Sequence, residues 1–445
     1  MIARLCHHRQ RGVASLVVVA VLFLILSLVA AYTNRNLIFE QRTAGNLHRS
    51  TQAFEAAEAG VEWALTMLNA GRIDADCAPS ASPADTSFRQ RYLTIDAASG
   101  VVAPAGVLTA AFESTVWPSC VFNGTDWDCS CPAAGAPSLA PPVGTGIFPA
   151  FRIRFSRASV TQPGVVRLEV NGCTRLDDDC LDFPAQSVGG EGRASVTTLI
   201  ALKSGLVAPP IAALTVRENF TLAAGAGLSA VNADSSGGIS LLSGGARPLS
   251  INLQPFGAPG TPGAQSVIDS DVNLQNMRDT GGRLPTDPGF ETAWRDARMF
   301  ASVFGTWPET YRTQPAAVEL TCAGGNCTAA QVRATSSLNP GRLIWILGNL
   351  VLDSAGDIGS PSDPVVLIVA GNITNPSNVS VFGIVYSTAD TWVTSGGGTV
   401  RGAAVAEGGL GGNGTSTFVY DRAVLDRLRW TTGSFVRVPG GWKDF

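Results

Sequence analysis

The sequence predicts an α+β chain: a long N-terminal transmembrane helix, an α/β head, then a mainly β solenoid of the parallel β-helix kind. Three observations predict it. An uncharged apolar run fills Val13–Tyr32 between Arg11 and Arg35, and no proline follows until well past Asn69. Three segments between 151 and 203 alternate in the manner of strands. Beyond 206, short apolar strands with Gly or Asn turns recur at a period of about 20 residues, as in stacked repeats.

Bulk composition agrees with that division. At 445 residues the chain exceeds one ordinary domain, so two or three are expected. Only 15% of it is charged, and it carries 49 glycines. That balance suits a β-rich, extracytoplasmic protein better than a helical cytosolic enzyme. The net charge of −4, with lysine only at Lys203 and Lys443, gives no general attraction to nucleic acid, and none is expected as a partner.

The helix begins in RQRGVASLVVVAVLFLILSLVAAY, Arg9–Tyr32. Twenty helical residues span about 30 Å, the thickness of a bilayer's hydrocarbon core. Arg4, Arg9 and Arg11, with no acid among residues 1–12, hold that end in the cytoplasm. A secretory signal peptide would have a shorter apolar region and a small-residue cleavage site. A plain membrane anchor is the simpler rival. After Arg35 the pattern turns amphipathic: Leu37, Ile38, Ala44, Leu47, Phe54, Ala57, Val61, Ala64, Leu65 and Leu68 recur at helical spacing. The expected helix therefore runs on past the bilayer and stops at Asn69-Ala70-Gly71.

Within it, Glu40-Gln41-Arg42-Thr43-Ala44-Gly45-Asn46 precedes Ala53-Phe54-Glu55-Ala56-Ala57-Glu58-Ala59-Gly60. With the basic leader and Gly12, this string resembles the N-terminal signature of PilX-type minor pilins over residues 9–65. Singly, Glu55 and Glu58 read as a solvated helix face; the whole string in order carries the likeness. The resemblance implies cleavage after Gly12 by a prepilin peptidase, leaving Val13 as the mature N-terminus. It also implies a pilin-like head. Major pilins carry a glutamate at the fifth mature position, which here is Val17. That glutamate neutralises the ammonium of the subunit ahead, because an unpaired charge in a low-dielectric fibre core costs several kcal/mol, roughly. A subunit with Val17 supplies no such partner and fits where no subunit lies ahead, at the fibre tip.

Nine cysteines are present. Cys6 falls in the leader, and the remaining eight suggest disulfides in an oxidising compartment. Cys173–Cys180 and Cys322–Cys327 are the local pairs, each closing a small polar loop. Cys77, Cys120, Cys129 and Cys131 allow three pairings, which the sequence leaves open. A zinc site is the rival, but no CxxC pair occurs and His7, His8 and His48 lie in the leader or helix.

The segments expected are 1–12 leader, 13–70 helix, 71–205 disulfide-containing head, 206–430 β-helix-like domain and 431–445 tail. In the head, strands are expected at Phe151–Phe155, Val165–Val170 and Gly192–Lys203, laid on the far half of the helix. In the β domain, Leu214–Leu222, Ile344–Leu352 and the stretch from Leu367 are copies of one repeat; a β-sandwich is the rival. Asn turns suggest side-chain ladders. The repeat reads as interrupted between 276 and 340, where Phe290–Phe304 is expected to form a helix over an edge or face. Asp421–Arg429 is expected to cap the far end. The tail's docking, on the sheet or on a partner, stays open.

No catalytic constellation stands out. HExxH, the Walker A pattern and a strand-GxGxxG-helix unit are all missing from the sequence. The histidines are unfavourably placed for a nucleophilic triad. Asp177-Asp178-Asp179 suits calcium by composition, but a solvated acidic loop is the plainer reading. Asp269-x-Asp271-x-Asn273 starts like an EF-hand and has Leu274 where glycine is needed. Asp353, Asp357, Asp363 and Glu407 lie in repeat turns, where a glycan-cleaving enzyme would hold carboxylates. The expectation is no enzyme, no cofactor and no metal.

The expected function is that of a minor pilin in type IV pilus assembly, in a priming or tip complex, presenting an adhesive domain. Its expected partners are other minor pilins, the major pilin, a prepilin peptidase and a large tip adhesin. It would sit in the bacterial inner membrane before passing to the periplasm and the extracellular pilus. The rivals are a membrane-tethered adhesin or glycan-processing protein, and a type II secretion pseudopilin of the K kind.

Overall fold

The computed structural model describes residues 12–144, 146–158, 164–184, 191–234, 238–247, 266–277 and 297–444. One helix, Gly12–Leu68, runs for 57 residues. Hydroxyls inside its apolar half donate back to the preceding turn, Ser27 to the Phe23 carbonyl at 2.7 Å and Thr33 to Val29 at 2.8 Å. Such back-bonding satisfies a hydroxyl within its own helix, as an apolar surround requires. The helix changes character at Ala53. Upstream, from 15 to 51, the residues of described burial are exposed; from Ala53, Ala56, Ala57 and Val61 to Leu68 one face is buried.

That face lies on an antiparallel sheet. Its order is Gly433–Arg437, Arg193–Ser204, Val165–Cys173, Ala150–Arg157, Ser119–Phe122 and Trp127–Ser130, with Lys443–Asp444 also paired to Arg193–Ser204. Alternate residues Phe151, Ile153, Phe155, Leu168, Val170 and Ile200 point at the helix and share a core with Ala57, Val61, Ala64 and Leu68. The two surfaces come unusually close because glycines line them. A Cβ on Gly172 would stand 2.2 Å from the Ala53 carbonyl, and one on Gly60 would stand 2.7 Å from Val170 Cγ1. All three expected head strands are present. The segment 431–445, set apart in the sequence as a tail, instead contributes two strands to this sheet. Trp442 meets Phe54 edge-on at 6.3 Å, and Arg437 pairs with Glu62 at 2.7 Å.

Between Arg193–Ser204 and Gly433–Arg437 the chain builds a stack of parallel strands. A rung starts with a strand such as Leu343–Ile346, turns into Asn349–Val351, then into Gly356–Ile358. The next rung, Val365–Val369, Ile373–Asn375 and the start of Val379–Ser387, pairs with it in parallel at each place. Inward columns fill the centre: Ile344, Leu367, Val385, Ala404, Leu214 and Leu241 along one ladder, and Cys327, Leu350, Ile373, Trp392, Leu410 and Phe220 along another. At one turn Asn349 Nδ2 donates to Asn326 Oδ1, and Asn349 Oδ1 accepts from Asn372 N, each at 2.9 Å.

The order of rungs in space is not their order in sequence. Ala212–Val216 pairs with Gly398–Ala406 on one side and Ile239–Ser243 on the other. The first rung in sequence thus lies on the last. The chain begins near one end, passes to the other at Ala317–Leu320, and climbs back.

Two expectations need correction. The expected break at 276–340 is too wide, because Ala317–Leu320 and Asn326–Thr328 are strands of an end rung. The Asp421–Arg429 helix, observed as Arg422–Thr431 with Asp421 as its cap, caps no end. Its Leu425 and Leu428 lie on the outer face of the largest sheet, beside Tyr386 and Val405. Of the expected Phe290–Phe304 helix, residues 290–296 lie outside the described residues. Ala297–Phe304 covers the same outer face, with Phe300 against Trp345 and Tyr386.

Replacing Gly172 with valine forces the helix off the sheet. The expected loss is about 3 kcal/mol, read from the urea midpoint of the full chain in detergent; an unchanged midpoint refutes the close contact.

Candidate functional site

Two regions carry residues beyond plain packing: the bare half of the helix, and the seam between head and stack. Residues 1–11, including Arg4, Cys6, His7, His8, Arg9 and Arg11, lie outside the described residues. The described helix starts at Gly12, with Val13 following. Val17 is 53% exposed, and so are its neighbours Leu16, Val18, Leu22, Phe23 and Leu26 to similar degrees. One described helix is long and apolar enough to cross a membrane, and none of its apolar window is buried. An apolar surface of this length requires lipid or other apolar helices around it.

The Ala53–Gly60 element has a structural account. Ala53, Ala56, Ala57 and Gly60 form the stripe that docks on the sheet, while Glu55 and Glu58 face solvent. Gly192 extends the seat: its Cβ would meet the Arg49 carbonyl at 2.2 Å.

At the seam the organising residue is Arg89, which the sequence did not single out. It sits in a short helix, Phe88–Tyr92, started by a capping box between Ser87 and Gln90. Its side chain is 3% exposed. Nε donates to the Leu68 carbonyl at 2.8 Å, Nη1 to Gly341 at 2.9 Å and Nη2 to Gly433 at 3.0 Å. Burial, and secondarily the charge of Arg342, lower its pKa to about 9, which leaves it charged at neutral pH. Next to it, Asn69 Nδ2 donates to the Phe435 carbonyl and Asn69 Oδ1 accepts from Phe435 N, both at 2.9 Å. A side-chain amide at the end of the long helix thus pairs like a strand with the returning chain.

All eight cysteines from Cys77 onward are bonded: Cys77–Cys131, Cys120–Cys129, Cys173–Cys180 and Cys322–Cys327. Cys120 and Cys129 face each other across a hairpin, and Cys322–Cys327 closes the turn of the end rung. The acidic run is engaged internally. Asp177 caps Asp178–Leu181, and Asp178 and Asp182 both pair with the buried Arg152. Asp271 caps the helix Val272–Gln275.

The four carboxylates of the repeat turns do not gather into one site. Asp353 accepts from Ala329 N at 3.2 Å. Glu407 is buried and accepts from the Tyr386 hydroxyl at 2.6 Å. Asp357 and Asp363 share a cavity. Burial raises the Asp363 pKa above the ordinary 3.8, opposed by the charge of Arg72.

The described structure thus joins an exposed apolar helix, continued as a small-residue stripe, to an antiparallel sheet. Residues 11–62 match the family model described as PilX N-terminal. That match spans most of the N-terminal helix and leaves the head and the stack outside it. No curated protein matches the chain in sequence. Two solved structures are similar at low score. One is the competence-associated pilin ComZ from Thermus thermophilus, 12% identical, covering 89% of this chain and 98% of its own, at a TM-score of 0.22. The other is an ice binding protein from an Antarctic Biological Consortium, 16% identical, covering 49% and 94%, at 0.19. Overlays this loose carry no functional argument.

Replacing Arg89 with methionine removes its hydrogen bonds to the Leu68, Gly341 and Gly433 carbonyls, of which Gly341 keeps Gly433 N as a donor. It should cost about 3 kcal/mol or more, and Arg89→Lys should recover little, because an ammonium cannot span three divergent acceptors. Urea unfolding of the full chain checks this; full recovery by lysine contradicts it. Asp363 predicts a pH effect. A carboxyl raised by folding favours the fold when protonated, so stability falls as pH climbs from 3.8 through the raised value. Tm measured across that window should fall less in Asp363→Asn; an identical profile contradicts the assignment.

Proposed function

We propose that the protein is a minor pilin of type IV pilus assembly, working in a priming or tip complex. In this reading residues 1–12 are a leader, cut after Gly12 by a prepilin peptidase in the bacterial inner membrane. Val13 becomes the mature N-terminus, and the helix to residue 70 packs beside those of other minor pilins and the major pilin. Residues 71–205 form the pilin-like head. Residues 206–430 form a β-helix-like domain, a reading supported by the parallel pairing of successive rungs and their continuous inward columns. That domain is displayed outward, for adhesion or for holding a larger tip adhesin, once the subunit reaches the extracellular pilus.

The observation that carries the reading is Val17, an apolar residue on a bare helix at the fifth mature position. A fibre core of low dielectric penalises an unpaired ammonium by several kcal/mol, roughly. A subunit without the carboxylate is best placed where none lies ahead of it. A K-kind pseudopilin shares this absence, and its fibre would serve secretion instead.

Co-expression with a prepilin peptidase should yield a protein whose N-terminal residue is Val13, and Gly12→Ala should block both processing and piliation. Processing and pili that survive Gly12→Ala would sink the proposal. Gold-labelled antibody should mark pilus ends; label scattered along shafts argues against the tip.

A further inference from the structure

The seam between head and stack holds a cleft of about 320 Å³ lined by charges of both signs. Arg72 enters it from the head, just after the long helix. Arg333 and Arg342 enter from the 329–342 stretch, Asp357 from the strand Gly356–Ile358, and Ser360 and Asp363 from the turn after it. Among the described residues no ion pair within 4.0 Å joins these three arginines to the two aspartates.

The arginines are instead fixed from behind. Arg72 donates to the Ser337 and Pro83 carbonyls. Arg333 donates to the Ser354 and Ala355 carbonyls at 3.2 Å each. Arg342 is held by Asn339 Oδ1 at 2.8 Å and by the Pro315 and Ala317 carbonyls, and its Nε is buried with no hydrogen-bond partner. Donors and acceptors are thus preset around a space of ligand size. Asp363 also lines a smaller cavity of about 150 Å³ that reaches Arg89, so the polar lining continues along the seam.

We propose that this cleft binds a neutral saccharide of mono- or disaccharide size. The charge balance selects that class. Three cations against two anions leave a single net positive charge. A small anion held by the arginines would face both carboxylates, and a metal cation would face three guanidiniums. A sugar hydroxyl donates and accepts at once, so it bridges a carboxylate to a guanidinium that cannot reach each other. The bound sugar would touch the head through Arg72 and the stack through Asp357 and Asp363, bracing one on the other. The site stands whether or not the subunit enters a fibre.

The test uses the full chain in a detergent without a sugar headgroup. Glucose, galactose, N-acetylglucosamine, maltose and lactose are titrated by saturation-transfer NMR and calorimetry, with inorganic phosphate as the competing anion. At least one saccharide should bind and raise Tm. Asp357→Asn, whose side chain lies at the exposed rim and carries no internal hydrogen bond, should weaken it at least tenfold with Tm of the free protein unchanged. Asp363→Asn should do the same to binding. Failure of every saccharide to bind, binding unaffected by both substitutions, or phosphate binding in preference to all five sugars overturns the proposal.

Discussion

One buried guanidinium holds three distant parts of the chain together. Arg89 takes the last carbonyl of the long helix, a carbonyl ahead of a stack strand, and the first carbonyl of the strand that returns to the head. The helix end is one whose carbonyls lack partners within the helix, and it is also the negative end of its dipole. Only a planar fork of divergent donors reaches three such acceptors at once. The Phe435 ring, 5.2 Å from the guanidinium, covers it on the returning strand. The angle between helix, head and stack follows from this contact and from Asn69 beside it.

The same junction makes head and stack one folding problem. Arg193–Ser204 lacks its outer neighbour until Gly433–Arg437 arrives, after the whole stack has been made. The stack repeats the arrangement internally, since Ala212–Val216 must wait for Gly398–Ala406. Contacts of such sequence separation close large loops before they return any stability. Disulfides shorten some of those loops in the head: Cys77–Cys131 ties residues 54 apart, beside the hairpin bonded by Cys120–Cys129.

The long helix serves two environments with two kinds of surface. Bulky apolar residues fill the bare part, where lipid or neighbouring helices close round them. Alanine and glycine fill the docked part, where the sheet approaches to backbone distance. The acids between them, Glu55, Glu58 and Glu62, stay outside, and Glu62 ties down the returning chain through Arg437. The signature that resembles PilX-type pilins is therefore, over its second half, a docking code written in small residues.

What the sequence determined by itself was local. The apolar run, the unbroken helix to Leu68, the three head strands and the repeat near 344, 367 and 214 all follow from periodicity that neighbouring residues set. The short-range cysteine pairs follow from loop length. Tertiary structure decided the rest. It chose among the three pairings of Cys77, Cys120, Cys129 and Cys131, placed the first rung on the last, and drew the tail into the head sheet. It also laid the Arg422–Thr431 helix on a face rather than an end. It separated Asp353 and Glu407 from Asp357 and Asp363, and put Asp357 in a strand rather than a turn. Arg89 had no motif to mark it, because its partners are backbone carbonyls, which every residue carries, and only the fold decides which of them are left without a donor.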